Sequence, residues 1–395
     1  EYLRDPLGID VRRPRLAWTL RHPGRGQAQA AFQILAASSP ERLSEDAADL
    51  WNTGKVRSPF SMAGYAGVPL PSRARCYWTV RAWDAQDRPG SFSAPAWFEM
   101  GLLSPTDWQA EWIGGPGGDP DAPLFFRRDF EVAAPFARAR VYLGTAGRHE
   151  LYLNGEKVGD HVLDPAQASG ATAGRYVTWD VGARLRPGLN TLGVLVAPGL
   201  DGAPRLLCQL ELQGADGSRG VVIASGDSDP AHPWQQARGP LLASHDSAGE
   251  RYDARLEQPG WAAPDRPPDP LPAAKRAAAW QAAVAVRGPG GFPAAQMVEP
   301  ARLTQDLPPA AVSQPTPGLA VYDFGQTLTG WARLAARGPR GTPVTLRYAE
   351  SLGADGRPGP ENAADVYTLK GEGLETWEPR FSARRFRYVQ VEGLP

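Results

Sequence analysis

Trp377-Glu378-Pro379-Arg380-Phe381, followed by Phe386-Arg387-Tyr388-Val389-Gln390-Val391-Glu392-Gly393-Leu394-Pro395, is the stretch on which the reading of the fold turns. Between Phe386 and Glu392 polar and apolar side chains largely alternate, the period-two signature of a β-strand in a packed sheet. Alternation puts Phe386 and Tyr388 on one face and Arg387 and Val389 on the other, so both faces carry apolar groups. Trp331, Trp377 and Phe381 crowd the same region. More apolar surface gathers here than one sandwich is expected to bury, which predicts an exposed patch for a partner domain.

The same pattern recurs upstream. Within residues 1–103, strands are expected at 31–37, 76–84 and 96–100, with Asp87-Arg88-Pro89-Gly90 as a turn. Residues 43–50 are expected as one short helix. About a hundred residues of short alternating strands predict a fibronectin type III-like or immunoglobulin-like sandwich. Gly114-Gly115-Pro116-Gly117-Gly118-Asp119-Pro120 marks a boundary inside a linker at 104–122. A second module spans 123–265, with strands expected at 124–132, 137–143, 190–196 and 208–212. Its clearest signal is the hairpin Glu150-Leu151-Tyr152-Leu153-Asn154-Gly155-Glu156-Lys157-Val158, whose Asn-Gly pair supplies the positive φ angles of a type I′ turn. This series predicts a jelly-roll. Residues 259–275 are proline-rich and read as another linker, while 277–286 fits a helix or a strand equally well. A third module, 266–395, has strands expected at 331–335, 344–348, 365–369 and the closing segment. The class is all-β, with three β-sandwich modules.

Composition narrows the possibilities. A chain of 395 residues with 42% apolar content implies two or three packed domains. The net charge of −1 gives no electrostatic reason to expect nucleic acid or an anionic membrane as partner. Lysines occur only at Lys55, Lys157, Lys275 and Lys370; the many arginines are interspersed with acids, as on a solvated surface. No apolar run approaches the roughly 18 residues that span a bilayer. Cys76 and Cys208 read as buried thiols, with a disulfide the other option, and no Cys/His grouping has zinc spacing. Glu1 opens the sequence without a Met or a signal-like segment, so the N-terminus is expected to be incomplete; the cytoplasm is the favoured compartment.

A family likeness rests on several segments taken in order. Asp5-Pro6-Leu7-Gly8-Ile9-Asp10, Pro14-Arg15-Leu16-Ala17-Trp18, Leu50-Trp51-Asn52-Thr53-Gly54-Lys55-Val56 and Tyr77-Trp78-Thr79-Val80-Arg81-Ala82-Trp83-Asp84 carry the likeness in the first module. Leu151-Tyr152-Leu153-Asn154-Gly155, Val158-Gly159-Asp160 and Gly249-Glu250-Arg251-Tyr252-Asp253-Ala254-Arg255, with Trp261, carry it in the second. Asp323-Phe324-Gly325-Gln326, Gly330-Trp331, Tyr348-Ala349-Glu350 and Asp365-Val366-Tyr367 carry it in the third. In this order the segments resemble the N-terminal accessory domains of bacterial α-L-rhamnosidases. The sequence departs from the family where Ala166-Gln167-Ala168-Ser169 follows Asp164-Pro165 in place of an aromatic, and at Thr327 and Arg385. The first departure weakens the case for a working sugar site in the second module.

The resemblance implies a concanavalin-like third sandwich and an inverting glycosidase whose acid and base lie in a downstream (α/α)-helical barrel. Nothing in the chain resembles that barrel, so no catalytic residue is expected here. The implied role is accessory: supporting the barrel and helping to hold a rhamnosylated glycoside. The rival is a stand-alone, non-catalytic carbohydrate-binding protein. No cofactor is expected beyond calcium, which some family members bind in an accessory domain; Asp160 and Asp164 are the candidate ligands. Asp323, Gln326, Glu350 and Asp365 read as turn and strand-end residues or as a polar site. Asn154 reads as a turn former. Trp261, Trp331 and Trp377 read as core or interface residues, or as platforms for sugar rings.

Overall fold

Turn chemistry and alternation produce strands and almost nothing else. Among the described residues, the helical segments are short 3-10 turns such as Pro40–Arg42, Pro105–Asp107 and Ala254–Leu256. The computed structural model describes residues 3–22, 24–116, 121–133, 135–166, 174–199, 202–245, 248–264, 280–359 and 363–394. The boundary residues Gly117 to Pro120, the departure at Gln167 to Ser169 and the greater part of the proline-rich linker lie outside the described residues. The chain forms two compact units. The first comprises Glu1–Gln109, Tyr176–Thr178 and Phe292–Glu299, and the second comprises the rest.

In the first unit, the antiparallel sheet runs Trp51–Asn52, Ala31–Ala37, Arg75–Trp83, Ala96–Glu99. All seven residues of Ala31–Ala37 are buried, as befits a central strand. Leu16 and Tyr65 pack into one core cluster with Ile34, Val80 and Phe98. The expected helix at 43–50 does not form. Asp49 accepts from the Ser38 backbone N–H at 2.8 Å and its hydroxyl at 2.6 Å, which folds the segment into a loop. Side chains of this kind compete with helical hydrogen bonds.

The second unit contains several sheets. One runs Glu156–Lys157, Gly147–Leu153, Gly188–Gly199, Leu124–Val132, Gln235–Ala237, Gln281–Ala282. Another brings Arg138–Thr145 against Leu206–Gln213, which also pairs with Arg219–Ala224 and touches Ile113–Gly114. A seven-stranded sheet runs Leu241–His245, Gly249–Asp253, Ala364–Thr368, Pro343–Ala349, Arg384–Glu392, Leu319–Gly330, Ala311–Thr316. Two of its strands, at 241–253, come from the stretch of sequence expected to belong to the second module. They enter through a parallel pairing of Arg251–Asp253 with Val366–Thr368. Gly249 permits this approach: its φ is 104°, and a Cβ there would sit 2.1 Å from the Ala364 carbonyl oxygen. The ambiguous 277–286 segment is strand where described, at Gln281–Ala282 and Val284–Ala285.

The closing strand lies inside its sheet, between Pro343–Ala349 and Leu319–Gly330. That position changes the expectation of an uncovered patch. Phe386, Val389, Val391, Trp377 and Phe381 all belong to this unit's own core, with Trp377 5% and Phe381 2% exposed. Only Tyr388 and Trp331 of the crowded aromatics stay half-buried. The strand expected at 331–335 is displaced, since Leu319–Gly330 ends at Gly330 and the next strand is Leu334–Ala336. A register shift between Asp323 and Leu328 offsets the pattern there. Cys76 and Cys208 are both buried free thiols.

The hairpin forms as expected. Asn154 has φ 53° and Gly155 φ 88°, and Leu153 pairs with Glu156 across the turn. Replacing Gly155 with Val places a β-branched residue at a positive φ, and destabilisation of roughly 1–3 kcal/mol is expected. A thermal melt of the chain checks it; an unchanged midpoint would show that the turn tolerates the branch.

Candidate functional site

A dense polar constellation lies where the Gly147–Leu153 strand meets the loop before the closing strand, within the second unit. Glu150 and Tyr152, two apart on one strand, project to the same side. Arg380 Nη1 donates to Glu150 Oε2 at 3.1 Å and lies 3.3 Å from the Tyr152 hydroxyl, which itself donates to Glu150 at 2.7 Å. Lys157, across the hairpin, donates to the other Glu150 oxygen at 3.0 Å. Burial pushes the Glu150 carboxyl up, but Arg380 and Lys157 outweigh it and hold it below its ordinary value. Glu150 is therefore an ionised anchor.

The backbone of the same loop is held from the other side. Glu250, fully buried, accepts the Arg380 N–H at 2.9 Å and the Phe381 N–H at 2.6 Å. Its own N–H donates to Asp365 at 2.9 Å, and Asp365 accepts from Arg384 at 3.3 Å. Burial raises the Glu250 carboxyl to about 7, against the two backbone donors and with the Asp365 charge adding to the rise.

Beside Arg380 opens a cleft of about 340 Å³. Phe125, Leu195 and Leu241 form its apolar lining, and Trp261 a half-buried wall. Tyr152, Tyr252, Arg238, Glu257 and Arg380 also line it. Tyr252 donates to Glu257 at 3.1 Å, and Lys370 donates to the other Glu257 oxygen at 2.9 Å.

The candidate calcium ligands are engaged otherwise. Both Asp160 oxygens accept from Arg302 Nε at 3.0 Å, while Asp164 is buried and bonds His161 Nδ1 at 2.7 Å. Arg302 also reaches His161 Nε2 at 3.0 Å, so a cation and an imidazole bridge the two carboxylates. Among the described residues no group of three or more His, Cys, Asp or Glu side chains has the arrangement of a metal site.

Asn154 does more than turn the chain: its amide donates to Arg184 O and Asn190 Oδ1, and its oxygen accepts the Thr191 N–H. Asp323 accepts the Gly325 N–H at 2.7 Å and pairs with Arg387; Gln326 is exposed; Glu350 pairs with Arg385 at the surface. Asp365 is buried beneath Glu250. The structure does not bring these four together with Trp261. Trp331 donates to Glu378 at 3.0 Å, and Trp377 stacks on Tyr367 in the core. Arg380, Glu150 and Tyr152 stand in stretches the sequence singles out for their strand pattern, but over two hundred residues separate them, and no local signal pairs them.

Comparison with known proteins gives three successive matches. Residues 1–104 match the Rha78A-like N-terminal immunoglobulin domain, 134–305 the alpha-L-rhamnosidase N-terminal domain, and 313–395 the bacterial alpha-L-rhamnosidase concanavalin-like domain. An α-L-rhamnosidase of Formosa agariphila is 31% identical, over 100% of this chain and 44% of its own length. The structure of α-L-rhamnosidase from Dictyoglumus thermophilum superimposes with a TM-score of 0.88 at 34% identity, covering 99% of this chain and 46% of that one. The Streptomyces avermitilis α-L-rhamnosidase complexed with L-rhamnose has a TM-score of 0.83 at 28% identity, covering 100% of this chain and 55% of that one. The chain thus spans about half the length of the relatives it matches.

The buried carboxyl predicts a pH signature. Glu250 has an ordinary value of 4.5 and a folded value of about 7, so between these the folded state keeps a proton that the unfolded chain has lost. Its contribution is complete below pH 4.5 and declines as pH rises to about 7, by roughly 3 kcal/mol at most. His149 opposes it: burial lowers its value from 6.5 to about 4, so its contribution grows with pH over that interval. Comparing Glu250→Gln with the wild type cancels the histidine. In urea unfolding, the wild type is expected to gain roughly 2–3 kcal/mol over the variant on going from about pH 8 to about pH 5. Equal differences at the two pH values would show that Glu250 stays ionised.

Proposed function

We propose that this chain, which carries in order the N-terminal domains of the bacterial α-L-rhamnosidase family, is the accessory, substrate-supporting portion of an enzyme that removes terminal α-L-rhamnose from glycosides. The observation that carries this reading is the ordered run of three domain matches across nearly the whole chain. The L-rhamnose in the Streptomyces avermitilis relative supports the choice of sugar. The partner that completes the activity is a downstream (α/α)-barrel of the same parent chain.

The side chains fit an accessory role. Glycoside hydrolysis by inversion needs an acid and a base, roughly 6.5–9.5 Å apart around a water. Glu257 in the cleft is tied to Lys370 and Tyr252, and Glu150 is held ionised by two cations. Glu250 has the raised value of a general acid, yet it is fully buried and bonded to two backbone N–H groups. It has no path to a leaving group.

Expressed in full, the encoding gene is expected to yield a product that releases rhamnose from an aryl α-L-rhamnoside, whereas these 395 residues alone release none. Turnover that copurifies with the 395-residue chain would overturn the accessory role. A full gene product without rhamnosidase turnover would overturn the family activity.

A further inference from the structure

We infer that the cleft beside Arg380 is a binding site for one neutral sugar residue. The inference rests on the reading above only for the choice of a rhamnoside as first probe; the site itself is argued from its walls. At about 340 Å³ the cleft lies at the low end of the roughly 300–1,000 Å³ found for ligand pockets, which suits a single ring better than an extended chain.

The chemistry of the walls is two-sided. Trp261 is fixed by three neighbouring rings: Phe125 at 4.9 Å and 88°, Tyr152 at 5.2 Å and 65°, and Trp280 at 6.3 Å and 15°. Such a wall is ordered before any ligand arrives, which lowers the entropic cost of binding. Phe125, Leu195 and Leu241 line the cleft as buried residues, so the half-buried Trp261 is the side chain that offers an apolar surface to the C–H face of a pyranose. Tyr152, Tyr252, Glu257 and Arg380 line the same cleft. The two tyrosine hydroxyls donate to Glu150 and Glu257, so toward a ring hydroxyl they serve as acceptors, while Arg380 donates and Glu257 accepts.

The cleft's charged lining residues are Arg238, Glu257 and Arg380. Lys370 compensates Glu257, and Glu150 compensates Arg380, so these two can bond a neutral hydroxyl without demanding a counter-ion.

The test uses the whole 395-residue chain with methyl α-L-rhamnopyranoside, methyl β-D-glucopyranoside and a methyl galactosiduronate, followed by saturation-transfer NMR and calorimetric titration. Saturable binding of the rhamnoside is expected, with Kd on the order of 1 mM. Tyr252→Phe and Tyr152→Phe each delete one hydroxyl and keep the ring, and each is expected to weaken binding about tenfold. Their melting midpoints serve as controls for folding. Binding of the glucoside in place of the rhamnoside supports the site while counting against rhamnose as the sugar of the proposed function. Binding of the uronate alone overturns the assignment to a neutral sugar. The site itself is overturned if no probe binds, or if binding is indifferent to both substitutions; the accessory role would then still be judged by turnover of the full gene product.

Discussion

Two carboxylates grip one short loop, and much of the second unit is arranged around that grip. Glu150 holds the Arg380 side chain, and Glu250 holds the backbone N–H groups of Arg380 and Phe381. Both acids are buried, and a buried carboxyl left without partners costs far more than an exposed ion pair contributes. Surface pairs such as Arg385 with Glu350, with side chains 69% and 52% exposed, contribute roughly 0–1 kcal/mol. The buried pairs therefore set the geometry, and the surface pairs decorate it.

This grip has structural consequences in two directions. It fixes the chain just ahead of the closing strand, whose Phe386, Val389 and Val391 enter the same core as Leu334, Leu346 and Tyr367. It also sets Arg380 against the hairpin strand, where Tyr152 turns its hydroxyl toward Glu150 and its ring toward Trp261. The cleft thus inherits its rigidity from a polar network on one side and an aromatic cluster on the other. A preorganised pocket of this kind lowers the entropic cost of ordering its walls.

How far the sequence could be read depended on the range of each signal. The Asn154-Gly155 turn and the strands at Ala31–Ala37 and Leu124–Val132 come from neighbouring residues, and they stand where the pattern puts them. Residues 43–50 fit a helix on local pattern alone, whereas the Asp49 contact with Ser38 that makes them a loop bridges eleven residues. Likewise, Asp160 and Asp164 look like an oxygen site when only their spacing is known. Arg302, far along the chain, pairs with one of them and reaches the histidine bonded to the other. The candidate cleft was barely legible. Trp261 stands out in the sequence, but Arg380, Tyr252 and Glu257 come to line one cleft with it only after folding.

What the sequence by itself determined is the all-β class, the order of the modules and the family likeness, because these rest on short-range periodicity and on motifs in series. Only the tertiary structure decided that residues 241–253 join the seven-stranded sheet, that the closing aromatics are covered from within, and that Glu250 lies sealed beneath the Arg380 loop. Burial is the physical reason. A side chain's environment, and with it the charge of a carboxyl or the use of an indole, is set by groups that are remote in sequence and adjacent only in the packed chain.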